Sequence, residues 1–102
     1  MPEGEGADSF RPFRIFETQR FLADLAGLGS VAQKRLEAKL RDHVYPILRQ
    51  TPQSASQIKR LRNWDQPTWR YRVGDWRFFY EIGESQRMVF MTAADHRKQA
   101  YR

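Results

Sequence analysis

The chain has 102 residues, 18 of them Lys or Arg against 12 Asp or Glu, for a formal net charge of +6. That length holds one domain around one core and excludes a two-domain enzyme, while 40% hydrophobic residues, including seven Phe, four Tyr and three Trp, exclude a disordered basic tail. The absence of cysteine removes disulfide scaffolds, thiolate metal sites and cysteine nucleophiles, and the charge makes a polyanion the first partner to consider.

In chain order, residues 1–9 hold Glu3, Glu5 and Asp8 with almost nothing to bury, and read as a flexible leader to a single domain over 10–102. The start has neither the basic region nor the apolar stretch of a signal peptide, and no apolar run reaches the roughly 18–20 residues of a membrane span, so a soluble cytoplasmic protein with no membrane partner is expected. Phe10 to Phe16 is aromatic and β-branched enough for a strand, and Pro12 places it at a sheet edge or a strand start. Thr18 can cap a short helix in which Phe21, Leu22, Leu25 and Leu28 recur at helical spacing, ended by Gly27 and Gly29. Ser30-Val-Ala-Gln33 reads as a capping box. Ala32, Leu36, Leu40, Val44 and Ile47 then form one apolar stripe opposite Lys34, Arg41 and Asp42, the pattern of an amphipathic helix lying on a core. Pro46 lacks an amide proton and crowds the carbonyl of residue 42, so this helix should kink or restart there. A polar connector follows over 50–57.

The last part alternates. Trp69, Tyr71 and Val73 interleave with Arg70 and Arg72; Gly74-Asp75 makes a two-residue turn; Trp76, Phe78, Tyr80 and Ile82 interleave with Arg77, Phe79 and Glu81. A turn over 83–86 leads to a strand over 88–94. The expected fold is α+β, two N-terminal helices packed on a small antiparallel sheet in the order β-α-α-β-β-β.

The two-residue turn sets the register: Val73 opposite Trp76, Arg72 opposite Arg77, Tyr71 opposite Phe78, Arg70 opposite Phe79. One face becomes an aromatic slab for the core, and the other carries Arg70, Arg72, Arg77, Phe79 and Glu81. A four-residue second loop puts Tyr80 opposite Val89, Phe78 opposite Met91 and Arg77 beside Thr92, with Phe79 and Phe90 facing each other and able to stack on a base or to pack. Like charges opposite one another cost a few tenths up to about 1 kcal/mol, so Arg72 against Arg77 is a poor choice for structure alone, while clustered guanidinium forks suit phosphate. Residues 1–57 are nearly neutral at +1 and 58–102 carry +5, with Lys59, Arg60 and Arg62 just before the hairpin as further candidate RNA contacts.

The run Trp69-Arg-Tyr-Arg-Val-Gly-Asp-Trp-Arg-Phe-Phe-Tyr-Glu-Ile82, followed by an apolar strand and by His96-Arg97 with Tyr101 close behind, resembles the RelE/ParE superfamily of bacterial toxins, nearer its RelE-like branch. Phe13 to Leu28, the helix with Leu36 and Leu40, Val44-Tyr-Pro46 and Ile58-Lys-Arg-Leu61 fall in that family's order. The resemblance implies a ribosome-dependent endoribonuclease that cuts mRNA and inhibits translation, silenced by a cognate acidic antitoxin in a hetero-oligomer. It places the family's basic strand positions on Arg70 and Arg72, its hairpin arginine on Arg77, its post-strand arginine on Arg97, its terminal aromatic on Tyr101, and a histidine common among relatives on His96.

Metal-independent RNA cleavage uses the 2′-hydroxyl as nucleophile, so the protein must align it, accept its proton, neutralise the phosphorane and protonate the leaving 5′-oxygen. Arginine serves the third task and cannot accept a proton. His96 is the first candidate for proton transfer and Tyr101 the next, while Glu81 reads as an ion-pair partner of Arg70 and His43 as structural or exposed. Two histidines far apart and no cysteine give no metal site, and no cofactor is expected. The competing functions are a ParE-like gyrase inhibitor, which binds a protein and needs no catalytic residues, and a non-toxic RNA-binding domain.

Overall fold

A computed structural model describes residues 11–62 and 66–96. The leader over 1–9, Arg97 and Tyr101 lie outside the described residues. Strand β1 (Arg14–Glu17) is followed by helices α1 (Gln19–Ala26) and α2 (Ser30–Lys39), a π-helical turn (Leu40–Val44), helix α3 (Tyr45–Gln50), and strands β2 (Ile58–Arg60), β3 (Trp69–Val73), β4 (Trp76–Gly83) and β5 (Met88–His96).

The helices start and stop for local reasons. Thr18 caps α1 as expected, its Oγ1 accepting from Phe21 N–H at 3.3 Å. The same hydroxyl donates to the carbonyl of Met91 at 2.7 Å, so the cap also fastens α1 to β5. The capping box does not form. Ser30 is already inside α2, and Gly29 stands at the cap with φ +92 and no side-chain bond, a conformation that costs glycine little. Gln33 instead donates to Glu37 one turn on, at 3.0 Å. Pro46 acts as anticipated, through a wider turn. Tyr45 N–H reaches back five residues to the Leu40 carbonyl, and α3 restarts with the proline in its first turn, where a missing N–H costs nothing.

The strands form one sheet in the order β1-β5-β4-β3-β2. The meander β2 to β5 is antiparallel, whereas β1 runs parallel to β5, so the five-stranded sheet is mixed. Strand β2 is an addition to the expected order. It is three residues long, and its Ile58-Lys-Arg is the short, charged kind of strand that closes a sheet edge. The helices cover one face. Phe21 and Leu25 of α1, Leu36 of α2, Leu40 and Val44 of the π turn and Leu48 of α3 are buried against Tyr71, Phe78, Tyr80, Val89 and Met91. Each such apolar side chain contributes about 1.5–3 kcal/mol. Two buried tyrosines keep their hydroxyls satisfied: Tyr80 donates to the Pro52 carbonyl and Tyr45 to Glu17, both at 2.6 Å. No helix among the described residues is long and apolar enough to cross a membrane.

Candidate nucleic-acid interface

The face away from the helices carries the basic side chains. The first hairpin has the expected register, with Arg72 opposite Arg77, Arg70 opposite Phe79 and Tyr71 opposite Phe78, and Gly74 at φ +57 in its turn. Strand β2 adds Lys59 directly opposite Arg70, a second like-charged pair in the next row. Arg60 pairs with Trp69 and so sits with the opposite, core-side set, and Arg62 lies exposed beyond β2. Of these three basic residues the register brings only Lys59 to the arginines. The Nε of Arg70 is buried and has no hydrogen-bond partner among the described residues. An unsatisfied buried donor costs about 1–3 kcal/mol, more when charged, so this row keeps positive charge at the expense of stability.

The second hairpin differs from the expected register. Its loop runs over 84–87, Tyr80 pairs with Met91 and Ile82 with Val89, and Glu81 rather than Phe79 lies opposite Phe90. Phe90 stacks edge-on against Phe16 of β1, with ring centroids 5.9 Å apart. The offset arises at Arg87, which takes the left-handed conformation (φ +54) that turn chemistry usually reserves for Gly or Asn. Its guanidinium lies 4.0 Å from the Phe13 ring centroid and donates to the Arg11 carbonyl, contacts that offset the strain.

A β-bulge then intervenes. Tyr80 pairs with Met91 but Phe79 with Ala93, so Thr92 has no partner position on β4, and its hydroxyl donates to the Phe79 carbonyl at 3.2 Å. Beyond it Arg77 stands opposite Asp95, not beside Thr92, and Trp76 opposite His96. One extra residue exchanges the faces of everything after it. Unbroken alternation from Phe90 would carry His96 to the arginine side; instead its ring meets Trp76 edge-on with centroids 4.8 Å apart, and Trp76 packs against the core cluster. The structure therefore brings Arg70, Arg72, Arg77 and Lys59 together and separates His96 from them by the thickness of the sheet.

At the bulge the outer face sinks into a cleft of about 690 Å³, with Phe79, Glu81, Thr92, Ala93 and Asp95 among its lining residues. Thr68, before β3, bounds it on one side and Arg20 and Asp24 of α1 on the other. Asp24 is committed to structure: its Oδ2 accepts from the Ala94 N–H at 3.0 Å, which is why α1 lies along β5, and it stands 3.7 Å from Arg20. Arg70 and Arg77 are the cross-strand partners of the floor residues Phe79 and Asp95. The ion pair expected between Glu81 and Arg70 is absent among the described residues. The cleft itself was not legible in the sequence, because no residue type announces the bulge that forms it.

Residues 15–101 match the model of a family described as the ParE toxin of the type II toxin-antitoxin system parDE. Among solved structures, the chain is similar to the RelBE2 toxin-antitoxin complex from Mycobacterium tuberculosis, at 25% identity and a TM-score of 0.70, over 85% of this chain and 93% of that one. It shares its fold with a metal-bound toxin from Helicobacter pylori (16% identity, TM-score 0.65, 85% and 97% of the two chains). The archaeal RelE-RelB complex from Pyrococcus horikoshii is similar in the same way (19% identity, TM-score 0.60, 84% and 96%). No curated protein matches the chain.

Proposed function

Because the chain belongs to the ParE toxin family of type II toxin-antitoxin systems, within the RelE/ParE superfamily, we propose that it acts as a ribosome-dependent endoribonuclease, cutting mRNA by 2′-hydroxyl attack. The observation that carries this reading is the outer face of the sheet. Two like-charged cross-strand pairs, Arg72 with Arg77 and Lys59 with Arg70, are kept beside a cleft, together with a buried Arg70 Nε that has no partner among the described residues. These positions cost stability and suit a phosphodiester, whose charge rises in the pentacoordinate transition state where fixed guanidinium groups act most strongly.

In this mechanism Arg70, Arg72 and Arg77 hold the scissile phosphate and neutralise the phosphorane. Lys59, with Arg60 and Arg62 at the margin, attracts the flanking backbone. Arg97 and Tyr101 enter from the resemblance, as a further phosphate ligand and as a group near the leaving oxygen. His96, set against Trp76, supports the end of β5 in this reading and takes no proton from the nucleophile. The reaction needs no metal, since the 2′-hydroxyl is an internal nucleophile. The partners are the ribosome with its mRNA in the cytoplasm, and a small acidic antitoxin that neutralises the basic face.

The assay is purified protein added to an mRNA with and without ribosomes. Cutting is expected only when ribosomes are present, and abolished in Arg77→Ala. A second reading, gyrase inhibition without catalysis, is favoured by the ParE identity of the matching family. It predicts intact mRNA in this assay and inhibited DNA supercoiling.

A further inference from the structure

We propose that Glu81 accepts the 2′-hydroxyl proton, an assignment that rests on the ribonuclease reading above and supplies the acceptor that reading lacks. Arginine cannot take a proton near neutral pH, whereas a carboxylate can. Glu81 projects from the same face of β4 as Arg77 and Phe79 and lines the cleft.

Two carboxylates of the cleft, Glu81 and Asp95, enter no hydrogen bond or ion pair among the described residues; what singles out Glu81 is its place diagonal to Arg70, whose Nε is buried there without a partner. Most carboxylates among the described residues are engaged: Glu17 by Tyr45, Asp24 by the Ala94 amide and Arg20, Glu37 by Gln33, Asp42 by Arg41 and Glu84 by Gln53. Asp75 sits in the turn between β3 and β4 and does not line the cleft, and Asp95 lies opposite Arg77 in the strand register. No hydrogen bond or ion pair among the described residues engages Glu81. Its diagonal neighbour across the hairpin is Arg70, since Arg70 pairs with Phe79 two residues before it, and such diagonal positions lie about 7–8 Å apart. A carboxylate and a guanidinium that stand side by side without neutralising one another leave room for a ligand bearing both an anion and a hydroxyl, here the phosphate and the 2′-hydroxyl of one nucleotide.

The 2′ O–H bond breaks, with its proton passing to a Glu81 carboxylate oxygen. The 2′ oxygen forms its bond to phosphorus as the bond from phosphorus to the 5′ oxygen breaks. Water protonates the leaving 5′ oxygen, and the hydroxide left behind takes the proton from Glu81. The products are a 2′,3′-cyclic phosphate and a 5′-hydroxyl. The charged groups that share the cleft with Glu81 are Asp95 on β5 and Asp24 and Arg20 on α1, and Arg70 on β3 is its diagonal neighbour.

The test compares wild type, Glu81→Gln, Glu81→Asp and Arg77→Ala in single-turnover cutting of mRNA on programmed ribosomes, with thermal melts and ribosome co-sedimentation. Loss of a general base typically slows a reaction about 10²–10⁴-fold. Glu81→Gln is expected to cut at least about 100-fold more slowly while melting and co-sedimenting like wild type, Glu81→Asp to recover part of the rate, and the fall in wild-type rate toward acid pH to be missing in Glu81→Gln. Near wild-type cutting by Glu81→Gln alongside an inactive Arg77→Ala overturns the role of Glu81 and leaves the ribonuclease reading standing. A Glu81→Gln protein that unfolds shows the carboxylate to be structural, which also overturns it. Wild-type protein that cuts nothing on programmed ribosomes overturns the reading, and this assignment with it.

Discussion

Arg72 and Arg77 face each other across a two-residue hairpin, and their separate contributions to stability and to activity are predicted to have opposite signs. Replacing Arg72 with Thr removes the like-charge contact, so the melt should rise, by a few tenths of a kcal/mol, while mRNA cutting falls. A variant that melts lower would show that the pair is held by favourable contacts. For His96 the expectation is reversed. Its ring contributes an edge contact to Trp76, so His96→Ala should lose about 0.5–1.5 kcal/mol of stability and keep most of its cutting activity; an unchanged melt with no cutting would return His96 to the chemistry. The arginine face was legible in the sequence because strict alternation around Gly74-Asp75 admits one register. The side of the sheet that receives His96 was not legible, since it depends on one extra residue, Thr92, in an apolar strand that carries no mark of a bulge.

Among the elements, the second hairpin turn carries the most information about why a sequence reading slips. Arg87 occupies a left-handed position where Gly or Asn would have marked the loop, and its contacts with Phe13 and Arg11 hold the chain entering β1 against β5. Left-handed backbone costs a non-glycine residue about 1–2 kcal/mol, and a cation–π contact returns about 0.5–1 kcal/mol or more. Arg87→Ala keeps the strain and loses the contact, so it should be the less stable variant in denaturant unfolding; Arg87→Gly loses both and should lie nearer wild type. The reverse order would mean that the turn is not strained. The helix over residue 46 was legible, because proline chemistry demands an interruption there, although the π turn that accomplishes it has no signature of its own. Strand β2 was hidden for a different reason: three residues, two of them charged, fall below any periodicity.

Across the whole molecule, the helices and apolar sheet face make a conventional core, and the open face gathers the charge. Two core tyrosines tie that core to pH. Burial, reinforced at Tyr45 by the hydrogen bond to Glu17 and at Tyr80 by the nearby Tyr71, pushes both phenols well above their ordinary value near 10. Above pH 10 the unfolded chain releases these protons while the folded protein retains them, so stability should hold below about pH 10 and fall as pH rises beyond it. Unfolding free energies that stay flat from pH 9 to about 11.5 would contradict this account of the core. The overall architecture was legible from length, alternation and helical spacing, and the parallel pairing of β1 with β5 was not, because it joins segments more than 70 residues apart. Inducing the chain alone in bacteria, mapping the ends of cellular transcripts and assaying chromosome integrity in the same culture decides between mRNA cutting and gyrase inhibition. New 5′ ends confined to translated messages, with intact DNA, are the predicted result; intact messages beside double-strand DNA breaks would contradict the ribonuclease reading and point to gyrase.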